Sequence, residues 1–208
     1  MTTQWDNEVT MSQPTAVIHP LWVRVCHWIN ALAMAGMVFS GWRIYNASPL
    51  FPFSFPSSLT LGGWLGGALQ WHFAMMWVLG INGLIYCTLG VVTGRFARSF
   101  FPISVKGLLK DMSLALRGKL QHADLSHYNM VQKLAYLLAI LTGVMLVLSG
   151  LVIWKSVQFP LLRELFGGYD TARYIHFFCM SFIVAFVVIH LLMVLLVPKT
   201  LLAMLRGR

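Results

Sequence analysis

From Tyr174 to Val197 the chain runs for 24 residues without a formal charge. About 20 predominantly apolar residues are enough for a helix to cross the hydrocarbon core of a bilayer. Three further stretches pass the same test of length and polarity, Leu21–Tyr45, Gln70–Gly94 and Met130–Trp154. At membrane depth every backbone N–H and C=O must be paired internally, so such stretches cross as helices. The sequence therefore predicts an all-α fold, a transmembrane four-helix bundle. Residues 1–20 precede it, residues 21–197 form it, and residues 198–208 make a basic tail. Composition agrees, with 58% hydrophobic and only 10% charged residues, where soluble domains carry about 25% charged residues.

The first 19 residues are polar and mildly acidic through Asp6 and Glu8, unlike the cationic start and apolar run of a cleavable signal. Arg24 and Arg43 stand near the ends of the first span, where long side chains reach the interface. Trp22, Trp42, Trp71 and Trp154 also fall at span ends, as an aromatic belt places them. The link between spans two and three carries Arg95, Arg98, Lys106, Lys110, Arg117, Lys119 and Lys133, and the tail adds Lys199, Arg206 and Arg208. With Arg24, these outnumber Arg43, Lys155, Arg163 and Arg173 on the opposite side. Both termini and the 95–133 link are thus expected in the cytoplasm. The net charge of +9 reflects this topology rather than binding to nucleic acid.

The links differ in character. Residues 46–69 are rich in Pro, Phe and Gly and are expected to form no long helix, but an apolar irregular loop against lipid or a partner subunit. Between spans two and three, Val105, Leu108, Leu109, Met112 and Leu116 share one helical face opposite Lys106, Lys110 and Arg117. That pattern predicts a basic amphipathic helix on the inner membrane surface. Cys26, Cys87 and Cys179 form no C-x-x-C pair. Cys26-His27 is no covalent haem attachment either, because position 23 is Val.

Four histidines lie inside the spans. His176 and His190 are fourteen residues apart, almost a whole number of turns, so they share a helix face roughly 21 Å apart along the axis. His27 lies about as far from the cytoplasmic edge as His190, and His72 enters from the outer side as His176 does. Topology alone sorts them into His27 with His190 and His72 with His176. A lone intramembrane histidine commonly bonds a neighbouring helix, but four paired by depth suggest two metal centres. An iron held by two neutral imidazoles is six-coordinate and suits electron transfer. All six acidic residues, Asp6, Glu8, Asp111, Asp124, Glu164 and Asp170, lie outside the spans, whereas cation or proton transporters place acids within the bundle. Gly41, Gly83 and Gly90 fall on the histidine faces, where they would make room for a flat macrocycle or for close helix packing. His19, His122 and His127 are assigned no metal role.

His27-Trp28 in span one, His72 in span two and His176-x13-His190 in span four resemble the bacterial di-haem cytochrome b561 superfamily. They are most similar to the membrane cytochrome b subunits of thiosulfate reductase, formate dehydrogenase and nickel-iron hydrogenase. His127-Tyr128-Asn129-Met130-Val131-Gln132-Lys133 resembles that group's Tyr-Asn…Gln-Lys motif. The resemblance implies two haems b, the inner held by His27 and His190 and the outer by His72 and His176. It implies a quinone pocket beside the inner haem, with Asn129 and Gln132 as candidate quinone partners, Asn129 being equally a helix N-cap. Arg43 and Arg173 outside, with Arg24 and Lys133 inside, are candidate partners of haem propionates or interfacial anchors. The implied partner is a periplasmic redox subunit, molybdenum-containing or iron–sulfur. The Pro- and Phe-rich loop is closer to the thiosulfate-reductase type, whose companion contains molybdenum.

The expected role is electron transfer across the bilayer between the quinone pool and that partner, within a respiratory oxidoreductase. The chain would supply no bond-making chemistry beyond quinone oxidation or reduction. Two rivals remain: a self-contained cytochrome b561-type quinone oxidoreductase using a small diffusible redox partner, and a haem-free transporter or membrane scaffold.

Overall fold

A computed structural model describes residues 18–100, 104–116 and 129–207. His122, His127, Arg117, Lys119, Arg208 and the acids at 6, 8 and 124 lie outside these residues. Four long helices form the body: α1 (Leu21–Ala47), α2 (Leu65–Val92), α5 (Met130–Trp154) and α7 (Tyr169–Leu196). Short helices α3 (Arg95–Phe100), α4 (Val105–Leu116), α6 (Pro160–Leu165) and α8 (Pro198–Arg206) fill the links and the tail. All four long helices are apolar and long enough to span a bilayer, so this is a multi-pass membrane protein.

Sequence chemistry sets the helix ends. α5 starts where Asn129 accepts from the Gln132 N–H and the Gln132 side chain accepts from the Asn129 N–H, a reciprocal capping box. The Asp111 carboxylate of α4 accepts from the Met130 N–H at 2.8 Å and so helps to cap α5. α2 and α7 each begin five residues before the expected Gln70 and Tyr174. At α2 the positive φ of Gly62 and Gly63 turns the chain. A Cβ on Gly67 would sit 2.3 Å from the Gly62 carbonyl oxygen, and one on Gly66 would meet the Trp64 ring. Those glycines, expected to break the helix, are what lets its first turn close against the loop. At α7, Gly167 and Gly168 with positive φ make the joint with α6, and Asp170 in the first turn suits the helix dipole. Pro198 ends α7 and opens α8.

α1 packs along α2, and α5 along α7, as two antiparallel hairpins. The Cα atoms of one hairpin approach those of the other within 8 Å only at isolated positions. Fully buried side chains are few and small, the largest being Val152, Ser40 and Ser149. Between the hairpins the bundle is held open rather than filled.

Residues 18 and 207 meet at one end of the bundle. The Ile18 N–H donates to the Gly207 carbonyl at 2.9 Å, and Arg24 donates to the Leu205 carbonyl at 2.7 Å. At the opposite, loop end, residues 48–64 are irregular apart from a 3-10 turn at Ser57–Leu59. Asn46 pins this loop by bonding both the N–H and the carbonyl of Phe55. Trp42 stacks on Phe55 at 4.6 Å, and Tyr45 on Phe177 at 5.2 Å, which joins α1, the loop and α7.

Candidate haem-binding site

His72 and His176 are each the eighth residue of their helices, α2 and α7, counted from the loop end. His27 is the seventh residue of α1, and His190 is seventh from the end of α7. All four imidazoles therefore lie roughly 10 Å inside the nearer helix end at ~1.5 Å per residue. The loop-end pair is deeper than its sequence position suggested, because α2 and α7 start earlier.

The structure brings His27 and His190 together, with ring centroids 6.1 Å apart and planes at 60°. A metal–imidazole bond is about 2 Å, so two imidazoles on opposite sides of one metal have centroids roughly 6 Å apart. His72 and His176 are close enough to interact electrostatically. Among the described residues no three of His, Cys, Asp or Glu gather as a metal cage. Histidines in twos suit a metal whose other ligands come with it, as in haem.

The loop-end pair has further support. Ser40 Oγ lies 3.0 Å from His72 Nδ1 and 2.6 Å from the Gly36 carbonyl. Ser149 Oγ repeats this, 3.0 Å from His176 Nδ1 and 2.6 Å from the Met145 carbonyl. Each hydroxyl hydrogen goes to its own helix, so each oxygen accepts from the imidazole Nδ1–H. The next residue is glycine in both helices. A Cβ would stand 3.5 Å from His72 Cε1 at Gly41 and 3.4 Å from His176 Cε1 at Gly150. Of the other glycines read as clearance for a macrocycle, Gly83 faces open space, but Gly90 packs under the Phe96 ring.

A cavity of about 590 Å³ runs between α1 and α7 from His19 and Asn129 to Trp42 and includes His27 and His190. This is within the range of cofactor sites. Ala31 and Ala35 on α1, opposite valines of α7, keep it open. The buried indole N–H of Trp42 has no acceptor among the described residues. A bound group with carboxylates would supply one. Volume, paired imidazoles and this orphaned donor together fit haem.

The remaining candidates are placed variously. Asn129 and Gln132 line the cavity that holds His190 while forming the capping box of α5. Arg24 is committed to Leu205, with its Nε buried and unpartnered among the described residues. Lys133 is buried at the start of α5. Arg43 is half-buried near the loop end of α1. Arg173 donates to the carbonyl and hydroxyl of Ser48.

Sequence reasoning missed three residues. Ser40 and Ser149 carry a detectable signal, the Ser-Gly dipeptide recurring in the first and third spans. His19, outside any span, lines the cavity because α8 folds back beside it. Its Nδ1 lies 3.3 Å from the Arg95 guanidinium, so this nitrogen accepts and the ring is neutral. Burial, then the charges of Arg95, His27 and Arg24, holds its pKa below the ordinary 6.5.

Comparison with known proteins agrees with this geometry. The chain is 59% identical over 197 residues to the putative protein-methionine-sulfoxide reductase subunit YedZ1 of Azospira oryzae, covering 95% of this chain and all of that protein. Residues 18–207, which include all four paired histidines, match prokaryotic cytochrome b561. The chain belongs to the prokaryotic cytochrome b561 family, membrane proteins that bind b-type haem and carry electrons.

Proposed function

We propose that this chain holds two haems b and conducts electrons through the bilayer from quinol to a periplasmic subunit that reduces methionine sulfoxide in proteins. The observation that carries this reading is the facing of His27 and His190 at 6.1 Å, with a second histidine pair at matching depth. The similarity to a methionine-sulfoxide-reductase subunit favours a partnered subunit over a self-contained enzyme, and indicates the electron sink. Haem, when bound, supplies a one-electron couple at each level, within a domain of residues 21–197.

The basic excess at the end where residues 18 and 207 meet favours a cytoplasmic position for that end, with His27 and His190, in a bacterial inner membrane. Quinol binds there. Asn129 and Gln132 each have the side-chain oxygen engaged in the capping box, which leaves the amide N–H donors free of that box to meet a carbonyl or hydroxyl oxygen. Oxidation of one quinol releases two protons and two electrons. At the loop end, two electrons and two protons convert a sulfoxide to a thioether and water. The exposed Leu59, Trp64 and Tyr169 near that end offer an apolar face for the partner, which is molybdenum-containing or iron–sulfur.

The test is a haem assay on the purified full-length chain. Two haems b per chain are expected, both reduced by added quinol. A chain purified from haem-replete cells without haem would overturn the reading.

A further inference from the structure

The two imidazoles at the loop end are tied to their surroundings by hydrogen bonds, His72 to Ser40 and His176 to Ser149. Among the described residues neither ring nitrogen of His27 or His190 has a hydrogen-bond partner. His72 and His176 each donate through Nδ1 to a fully buried serine on the neighbouring helix. A serine in a membrane helix ordinarily bonds back to its own helix. Ser40 and Ser149 do so too, at 2.6 Å, and this bond aims the oxygen. With the hydroxyl hydrogen held by Gly36 or Met145, the remaining lone pairs face the imidazole. A backbone carbonyl beside each ring, Met37 for His72 and Leu146 for His176, accepts but never donates, and so favours the same tautomer.

We propose that Ser40 and Ser149 are a matched pair of positioning residues for one haem. One stands behind each axial imidazole, holding it as the Nε2-ligating tautomer and strengthening it as an electron donor. The inference rests on the proposed ligation by His72 and His176. A histidine that ligates a metal through one nitrogen nearly always donates the other N–H to an acceptor, which fixes the ring and raises its basicity. A more basic ligand favours the ferric over the ferrous state, so the two serines lower the potential of the loop-end haem. The arrangement is nearly two-fold: α1 serves the ligand on α2, and α5 serves the ligand on α7, each through Ser-Gly. In each case the glycine lets the imidazole edge lie against the supporting helix. α5, which carries no ligand, thereby has a part in the redox centre.

The test uses the full-length protein in detergent with Ser40→Ala, Ser149→Ala and the double substitution. Redox titration and low-temperature electron paramagnetic resonance of the oxidised form provide the readouts. One midpoint should rise in each single variant and rise further in the double variant. The largest g value of that haem should shift, with the other haem unmoved and the haem content intact. Ser40→Thr and Ser149→Thr, which keep the hydroxyl, should restore the original midpoint, or restore the haem where an alanine variant loses it. Unchanged midpoints and spectra in a fully loaded double variant would overturn the proposal. So would threonine variants that shift as far as the alanine ones. Failure of the ligand assignment shows separately, as His72→Ala or His176→Ala protein that still carries two haems.

Discussion

Asn82, buried in α2, donates to the backbone carbonyl of Cys26 at 2.8 Å, one residue before His27, and to the side chain of Asn30 at 2.7 Å. Both amide hydrogens are spent on α1, and the clamp fixes the rotation of that helix at the level of its histidine. Hydrogen bonds between membrane helices contribute about 1–2 kcal/mol in model systems and ~0.6 on average in folded proteins. Asn82→Ala should lower stability in detergent by that order, read as a fall in the thermal midpoint, with the haem content unchanged. An unchanged midpoint would show that Asn30 and the Cys26 carbonyl find other partners.

On the proposed reading, each histidine pair draws one ligand from each hairpin. His176→Ala should therefore halve the haem content, removing the loop-end haem and sparing the other, and His27→Ala should do the reverse. The pyridine haemochrome assay and the two electron paramagnetic resonance signals report this directly. Loss of both haems at normal protein yield would argue against independent sites.

On the proposed reading Asn129 both caps α5 and binds quinol, and one substitution separates the two. Serine caps a helix about as well as asparagine, whereas alanine costs about 1 kcal/mol at such a position. Asn129→Ser should keep the thermal midpoint and slow quinol oxidation, because the amide N–H donors are gone. Asn129→Ala should lower both. Normal quinol kinetics in the serine variant would leave Asn129 as a cap alone.

His19 gives the fold a dependence on pH. Its pKa is depressed on folding by burial and nearby positive charge, so below about 6.5 the unfolded chain takes up the proton more readily. Stability should fall as the pH drops from 7.5 towards 5.5. His19→Gln should flatten the profile, read as thermal midpoint against pH. The same slope in the variant would assign it to other groups.

How much of this was legible in the sequence depended on where the decisive forces act. α5 begins and ends at Met130 and Trp154 as expected, because Asn129 and Lys155 mark its ends in plain chemistry. The start of α2 was misplaced because glycines that break helices in isolation here admit Trp64 and the Gly62 backbone, a tertiary effect with no local signature. That of α7 was misplaced because its opening residues include Asp170 and Arg173, which an uncharged span leaves out. Pairing of the histidines followed from topology, since depth is a one-dimensional quantity that counting recovers. Ser40 and Ser149 were missed for the opposite reason, their shared Ser-Gly dipeptide saying nothing of what it faces. Their partners lie across a helix interface, and only rotation about the helix axis brings them together. His19 reached the cavity wall through the return of α8, which a span count does not contain.

α1 and α2 supply one imidazole to each pair, α7 supplies both others, and the two hairpins otherwise make few close backbone approaches. On the proposed reading, iron is then the mortar of the bundle, and cofactor insertion is the last step of its assembly. A cell starved of haem would make two inserted hairpins joined only near their ends, through contacts such as Tyr45 on Phe177, and more exposed to membrane proteases. The abundance of this protein would track haem supply even at constant synthesis.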